Sequence, residues 1–213
     1  MEPILMPVQT EYLESMRDGN DPLIEEMEKY AAEHKVPILN WKSAEFLEQL
    51  ILIKEPKREL EIGTAIAYSS IRIARVLKKK AKLYTIEISS DNIPIAAANI
   101  EKAGMQDKIK LIHGDAVEEF PDLNKKFDFI FLDADKEDYE DLLELSIDAL
   151  KKNGILFVDN LLWQGYAAAK TVPKKYQTST EHIRRFNERF IAYPGLNSSI
   201  LPIGDGIGIG IKM

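Results

Sequence analysis

Acidic and amide side chains recur in this chain directly after short apolar runs. Glu87 closes Leu83–Glu87, and Asp115 follows Ile109–Ile112. Asp133 and Lys136 follow Phe127–Leu132, and Asp159-Asn160 follows Ile155–Val158. Asp133, Asp159 and Asn160 together offer three oxygen donors. An all-oxygen set suits a hard divalent cation such as Mg²⁺, with positions left for water or a substrate. Lys136, one helical turn beyond Asp133, is placed to act as general base toward a hydroxyl. Each has a plainer use when taken singly. Asp159-Asn160 suits an Asx turn, and Lys136 an exposed lysine, although the helix dipole prefers acids in a first turn.

A second group describes a nucleoside site. Gly63 follows the run Glu59–Ile62 and opens the loop Gly63 to Ala67, where backbone can approach a ligand closely. An acid ending the next run, Glu87, can accept from both ribose hydroxyls. A dinucleotide fold places G-x-G-x-x-G here to cradle a pyrophosphate. With one glycine the loop suits a ligand that has no phosphate, and S-adenosylmethionine is such a ligand. Glu87 alone reads equally well as a surface or capping acid.

These residues require particular elements behind them. Residues 22–34 and 43–53 have helical periodicity, the second with Ser43 as N-cap and Phe46, Leu47, Leu50 and Ile51 on one face. From residue 58 strands alternate with helices: strand 59–62, helix 69–80, strand 83–87 and helix 91–103 with Gly104 as its stop. Strand 109–112, strand 127–132, helix 138–151 ending at Asn153-Gly154, and strand 155–158 continue the pattern. Such a βα rhythm predicts a mostly parallel sheet with helices on both faces, a Rossmann-like three-layer α/β sandwich. Ser199 to Ile203 and Ile207 to Lys212, joined by Gly204-Asp205-Gly206, predict an antiparallel hairpin that brings the sheet to seven strands. The whole chain, 1–213, reads as one domain with residues 1–54 as a helical N-terminal extension.

Composition narrows the partners. At 213 residues, 45% hydrophobic and 30% charged, the chain can bury a substantial core. The absence of cysteine removes disulfides, thiolate metal sites and cysteine nucleophiles, and fits a reducing, cytoplasmic setting. No stretch approaches the roughly 18 apolar residues of a membrane span, and the first twenty residues lack a signal pattern. A net charge of −7 disfavours nonspecific nucleic-acid binding. The runs Lys78–Lys80, Lys174-Lys175 and Arg184-Arg185 are candidates for a local basic patch, or for solvated helix ends.

The motifs Glu61-Ile62-Gly63-Thr64, Tyr68-Ser69, Asp133-Ala134-Asp135-Lys136 with Tyr139, Val158-Asp159-Asn160 and Pro202–Gly206 resemble the catechol- and caffeoyl-CoA-type O-methyltransferases of class I, over essentially the whole chain. With His34-Lys35-Val36-Pro37-Ile38, the likeness is closest to the bacterial tRNA 5-hydroxyuridine methyltransferases. The resemblance implies that Gly63, Ser69, Glu87, Asp115, Ala116, Asp133 and backbone near Ile38 hold S-adenosylmethionine. It implies that Asp133, Asp159 and Asn160 hold the metal, that Lys136 is the base, and that the chain forms a homodimer. Ala67 departs from the family's usual glycine. The acceptor so implied is 5-hydroxyuridine in tRNA, whose 5-hydroxyl and 4-carbonyl imitate a catechol's adjacent oxygens. A small catechol-like metabolite is the alternative, and Trp163 and Tyr166 in the 161–178 loop are candidates to stack on a flat ring. A nicotinamide-dependent dehydrogenase lacks its glycine motif here. A non-catalytic nucleoside-binding module leaves Asp133, Lys136, Asp159 and Asn160 without a use.

Overall fold

In a computed structural model, residues 6–17, 19 and 21–213 are described. Three helices come first: α1 (Pro7–Ser15), α2 (Pro22–His34) and α3 (Trp41–Lys54). The alternating part follows as β1 (Arg58–Ile62), α4 (Tyr68–Val76), β2 (Lys82–Glu87), α5 (Asn92–Lys102), β3 (Ile109–His113), α6 (Ala116–Asp122) and β4 (Phe127–Leu132). It ends in α7 (Tyr139–Ala149), β5 (Leu150–Val158), α8 (Gln177–Ala192), β6 (Leu196–Leu201) and β7 (Ile207–Lys212). The seven strands lie in the order β3-β2-β1-β4-β5-β7-β6. The first five are parallel, and β7 is antiparallel to both β5 and β6. The α/β architecture predicted from the sequence is therefore present, hairpin included.

Strand alternation divides the core into two layers. Phe129 and Phe131 of β4 and Phe157 of β5 face one side, with Leu47 and Ile51 of α3 and Ile71 and Ala74 of α4. Leu60 and Ile62 of β1 and Ile130 and Leu132 of β4 face the other, with Leu142 and Leu143 of α7 and Phe186 and Phe190 of α8. The central strands are buried on both faces, which is why their sequence is nearly continuously apolar. No described helix is long and apolar enough to cross a membrane.

Several boundaries differ from the sequence reading. Helix α3 begins at Trp41, because the Asn40 side chain accepts from the Lys42 N–H at 3.0 Å. Ser43, expected as the cap, is buried inside the helix. Helix α4 stops at Val76 rather than Lys80, and the Lys108 ammonium caps it by donating to the Ala74 and Leu77 carbonyls, each at 2.7 Å. Strand β5 starts at Leu150, where a helix running to 151 was expected. Its pairing with β4 shifts register between Phe127 and Phe129, which accommodates the Asn153-Gly154 irregularity inside the strand. Helices α6 and α8 have no counterpart in the sequence reading, and α8 takes over the end of the expected 161–178 loop.

Candidate functional site

The strand order reverses between β1 and β4, and ligand crevices in open α/β sheets form at such a switch beyond the carboxyl ends of the strands. A cavity of about 690 Å³ lies there. Gly63 ends β1 at φ +99°, and a Cβ on it would overlap the carbonyl oxygen of Asp133 on the neighbouring strand. Only glycine lets the two strand ends approach this closely.

On the β1–β3 side, Ile38, Gly63, Glu87, Asp115 and Ala116 all line the cavity. Glu87 is fixed by the loop it faces: Oε2 accepts from the Ala65 N–H at 2.7 Å, and Oε1 from the Ser89 N–H at 2.8 Å. Asp115 caps α6 by accepting from the Val117 N–H at 2.8 Å. Ser69 is not among the lining residues. Its hydroxyl donates to Glu61 at 2.5 Å, and Ser70 and Thr85 also donate to that carboxylate. Ser69 thus ties α4 to β1 behind the loop. Burial pushes Glu61 up to about 7 despite those three donors. Ala67, in the family's usual glycine position, is buried at φ +69°.

On the β4–β5 side, the cavity is lined by Asp133, Lys136, Asp159 and Asn160. The Lys136 ammonium donates to Asn160 Oδ1 at 2.6 Å, the Tyr139 hydroxyl at 2.7 Å and the Ala134 carbonyl at 2.9 Å, and lies 3.4 Å from Asp133 Oδ1. The Tyr139 hydroxyl in turn donates to the Asp159 carbonyl at 3.1 Å. Asn160 is turned to φ +64°, and its Nδ2 donates to Asp159 Oδ2 at 3.1 Å. The other Asp159 oxygen, Oδ1, is buried with no partner among the described residues. Burial, and then the charge of Asp133, push Asp159 up to about 7. A buried carboxylate oxygen without a donor is costly. Beside a second carboxylate and an amide oxygen, it is the donor set a hard cation would complete.

Sequence reasoning missed several cavity residues. Asn92 lines it and donates to Glu87 Oε1 at 3.3 Å; as the first residue of α5 it carried no signal of its own. Glu137 and Asp138 also line it, beside Asp135 of the motif already quoted, and with Glu87, Asp115, Asp133 and Asp159 the carboxylates there number seven, against the Lys136 ammonium. Burial and its acidic neighbours raise Asp138. Trp163 lines the cavity too, edge-on to Tyr176 at 6.4 Å, and Tyr166 stacks on Tyr176 at 5.1 Å.

The three basic runs do not share one surface. Lys78–Lys80 follow α4 and precede β2, at the amino ends of the strands and opposite the cavity. Arg184 points inward to the carbonyls of Tyr166, Ala167 and Ala169, while Arg185 pairs with Glu140. Lys174 and Lys175 are exposed beside Tyr176, whose ring meets that of the cavity-lining Trp163.

Residues 14–213 match the model of a family described as O-methyltransferase. Caffeoyl-CoA O-methyltransferase 2 of Petunia hybrida is 31% identical over 86% of this chain and 81% of its own. An O-methyltransferase from Bacillus cereus, solved in complex with SAH, superposes with a TM-score of 0.86 at 26% identity, covering 97% of each chain. A Staphylococcus aureus structure superposes with a TM-score of 0.90 at 29% identity, over 97% of this chain and 100% of that one.

Proposed function

The chain belongs to the O-methyltransferase family, and we propose that it moves the methyl group of S-adenosylmethionine to a hydroxyl with a second oxygen beside it, using a divalent cation held by Asp133, Asp159 and Asn160. The observation that carries the cation is the buried Asp159 Oδ1, without a partner among the described residues, on a carboxylate that feels the charge of Asp133 and whose other oxygen accepts from the Asn160 amide. A hard cation held there would supply Lewis acidity that makes the acceptor hydroxyl easier to ionise.

The chain's own residues do the rest. Glu87 and Asn92, fixed to each other, present oxygen and amide groups to the donor's ribose, and Gly63 and Asp133, whose strand ends approach closely, line the same cavity toward its methionine part. Seven carboxylates around the cavity favour the positively charged sulfonium of the donor. Lys136 Nζ, anchored by Tyr139 and the Ala134 carbonyl, enters the step as the uncharged amine and leaves it as the ammonium, having taken the proton of the acceptor hydroxyl. The acceptor oxygen then forms its bond to the methyl carbon as the carbon–sulfur bond breaks and S-adenosylhomocysteine departs.

For the acceptor we propose the 5-hydroxyl of 5-hydroxyuridine in tRNA, giving the 5-methoxy product. This rests on the likeness that residues 34–38 add to the family's motifs. It also rests on the exposed Lys174 and Lys175 beside the Trp163–Tyr166–Tyr176 rings, where phosphate and a flat base would meet the mouth together. A small catechol-like acceptor is the second reading. The caffeoyl-CoA relatives favour it, since a caffeoyl group is itself a catechol, and so do the cavity's acids, which repel phosphate. Mass spectrometry of tRNA nucleosides from cells with and without the protein separates the two: loss of 5-methoxyuridine supports tRNA, and an unchanged profile leaves the small acceptor. The same reading includes a cytoplasmic homodimer. Helix α1 buries none of its residues and exposes Val8 and Tyr12 beside Met6 and Met16, an apolar surface suited to a second copy.

A further inference from the structure

The turn 202–206 belongs to the motifs singled out in the sequence, yet the chemistry above gives it no work. What it touches is the loop after β5. That loop carries Asn160 and Trp163, and three of its residues have left-handed backbone: Asn160 at φ +64°, Trp163 at +48° and Gln164 at +54°. Left-handed backbone is unfavourable for Trp163 and Gln164, so the conformation persists only where its surroundings over-determine it.

The turn supplies that restraint. The Leu161 N–H donates to the Gly206 carbonyl at 2.9 Å and the Leu162 N–H to the Asp205 carbonyl at 2.8 Å. The Gln164 N–H donates to Asp205 Oδ1 at 2.6 Å. Gly206, at φ +91°, lies so close that a Cβ there would stand 2.5 Å from Leu162 Cγ. From the other flank Asn187 donates to the Leu161 carbonyl at 2.8 Å, and Arg184 to the Tyr166 and Ala167 carbonyls. The backbone bonds survive substitution. The bond from Gln164 to Asp205 is the one made by a replaceable side chain of the turn, and it falls on the second of two consecutive left-handed residues.

We propose that Asp205 is a positioning residue for the acceptor half of the site: its carboxylate, by accepting from the Gln164 N–H, holds Trp163 against the cavity and Asn160 toward Asp159. Without that acceptor, Trp163 and Gln164 relax toward right-handed backbone and the acceptor wall moves. The donor half, on Ile38, Gly63, Glu87 and Asp115, keeps its own supports. The effect on catalysis rests on the methyl-transfer reading above; the effect on the loop does not.

The test uses Asp205→Ala and Asp205→Asn in a Trp41→Phe parent, which leaves Trp163 as the remaining tryptophan. Three quantities are measured: acrylamide quenching of Trp163 fluorescence, affinity for S-adenosylhomocysteine, and kcat and KM for catechol with Mg²⁺. Asp205→Ala is expected to raise quenching, leave S-adenosylhomocysteine affinity unchanged, and lower kcat/KM for catechol roughly 10–100-fold, the range typical of lost supporting contacts around a metal site. Asp205→Asn restores both quenching and rate, because its amide oxygen still accepts. Unchanged quenching in Asp205→Ala, an equal loss of S-adenosylhomocysteine affinity, or an Asp205→Asn protein as impaired as Asp205→Ala overturns the proposal. Should Asp205→Ala not fold, Asp205→Asn decides alone, since parental quenching and rate are required of it. A parent that methylates no acceptor defeats the methyl-transfer reading instead, and the quenching contrast still decides the brace.

Discussion

The Lys136 ammonium lies 2.6 Å from the Asn160 side-chain oxygen, joining the segment after β4 to the segment after β5 across the reacting half of the cavity. Asn160 in turn donates to Asp159 at 3.1 Å, so the expected base and two expected cation ligands form one hydrogen-bonded unit. Disturbing one member reorients the others, which makes substitutions here readable as mechanism.

Lys136→Ala should lower kcat by ~10²–10⁴-fold, the usual cost of a lost general base, while S-adenosylmethionine affinity measured by calorimetry holds. Lys136→Arg is the sharper variant. A guanidinium keeps the charge and cannot give up its proton, so it should be nearly as slow. A fully active Lys136→Arg enzyme would show that Lys136 supplies charge alone.

Glu59 is fully buried in β1 and neither carboxylate oxygen has a partner among the described residues, while burial and the neighbouring Glu61 push its carboxyl well above the usual range. Glu61 and Asp159 are both pushed up to about 7. Between the ordinary carboxylate range and pH 7 the folded chain therefore keeps protons that the unfolded chain has released. Stability of the cation-free protein must then fall as pH rises through that window. Glu59→Met should raise the melting temperature, by about 1–3 kcal/mol in stability for removing an unsatisfied buried group. The gain should be larger at pH 8 than at pH 5, and a gain equal at both pH values would deny the titration.

The acid-bearing strand ends were legible because each acid follows an apolar run, and a parallel sheet puts all such positions on one edge. Asp133, Lys136, Asp159 and Asn160 meet for that reason. Ser69 was not legible in the same way: Tyr68-Ser69 fits the family motif, but the hydroxyl's partner is Glu61, two strand positions before Gly63, and spacing does not reveal that bond. Helix α8 escaped notice because its apolar face is sparse, with Ile183, Phe186 and Phe190 among eleven polar or charged neighbours. The end of α4 was misjudged because its cap is Lys108, thirty-one residues beyond Leu77.

Gly63→Ala and Ala67→Gly should behave oppositely, although both sit in the donor loop at positive φ. A Cβ at Gly63 meets the Asp133 carbonyl, which is backbone and cannot swing away. Gly63→Ala should therefore cost far more than the ~1 kcal/mol of an ordinary incompatible change and abolish donor binding. At Ala67 the roughly 1 kcal/mol regained from left-handed strain is offset by a similar cost in unfolded-state entropy. Ala67→Gly should be near neutral in a urea melt, with donor affinity kept.

Lys174→Glu combined with Lys175→Glu should impair turnover of tRNA and spare turnover of catechol, since both ammonium groups sit outside the cavity. With parent enzyme, added salt should depress the tRNA reaction steeply and the catechol reaction little, because phosphate contacts release counterions. Equal salt dependence for the two acceptors would remove tRNA from the account.

The central claim, hydroxyl methylation through a cation on Asp133, Asp159 and Asn160, is tested most directly by following methyl transfer from labelled S-adenosylmethionine to catechol and to tRNA bearing 5-hydroxyuridine, first with Mg²⁺ and then after EDTA. The account predicts transfer to at least one acceptor with Mg²⁺, its loss in EDTA, recovery when Mg²⁺ is restored, and no recovery in Asp159→Ala. Undiminished transfer by protein whose metal removal has been verified, or full activity of Asp159→Ala, would contradict it.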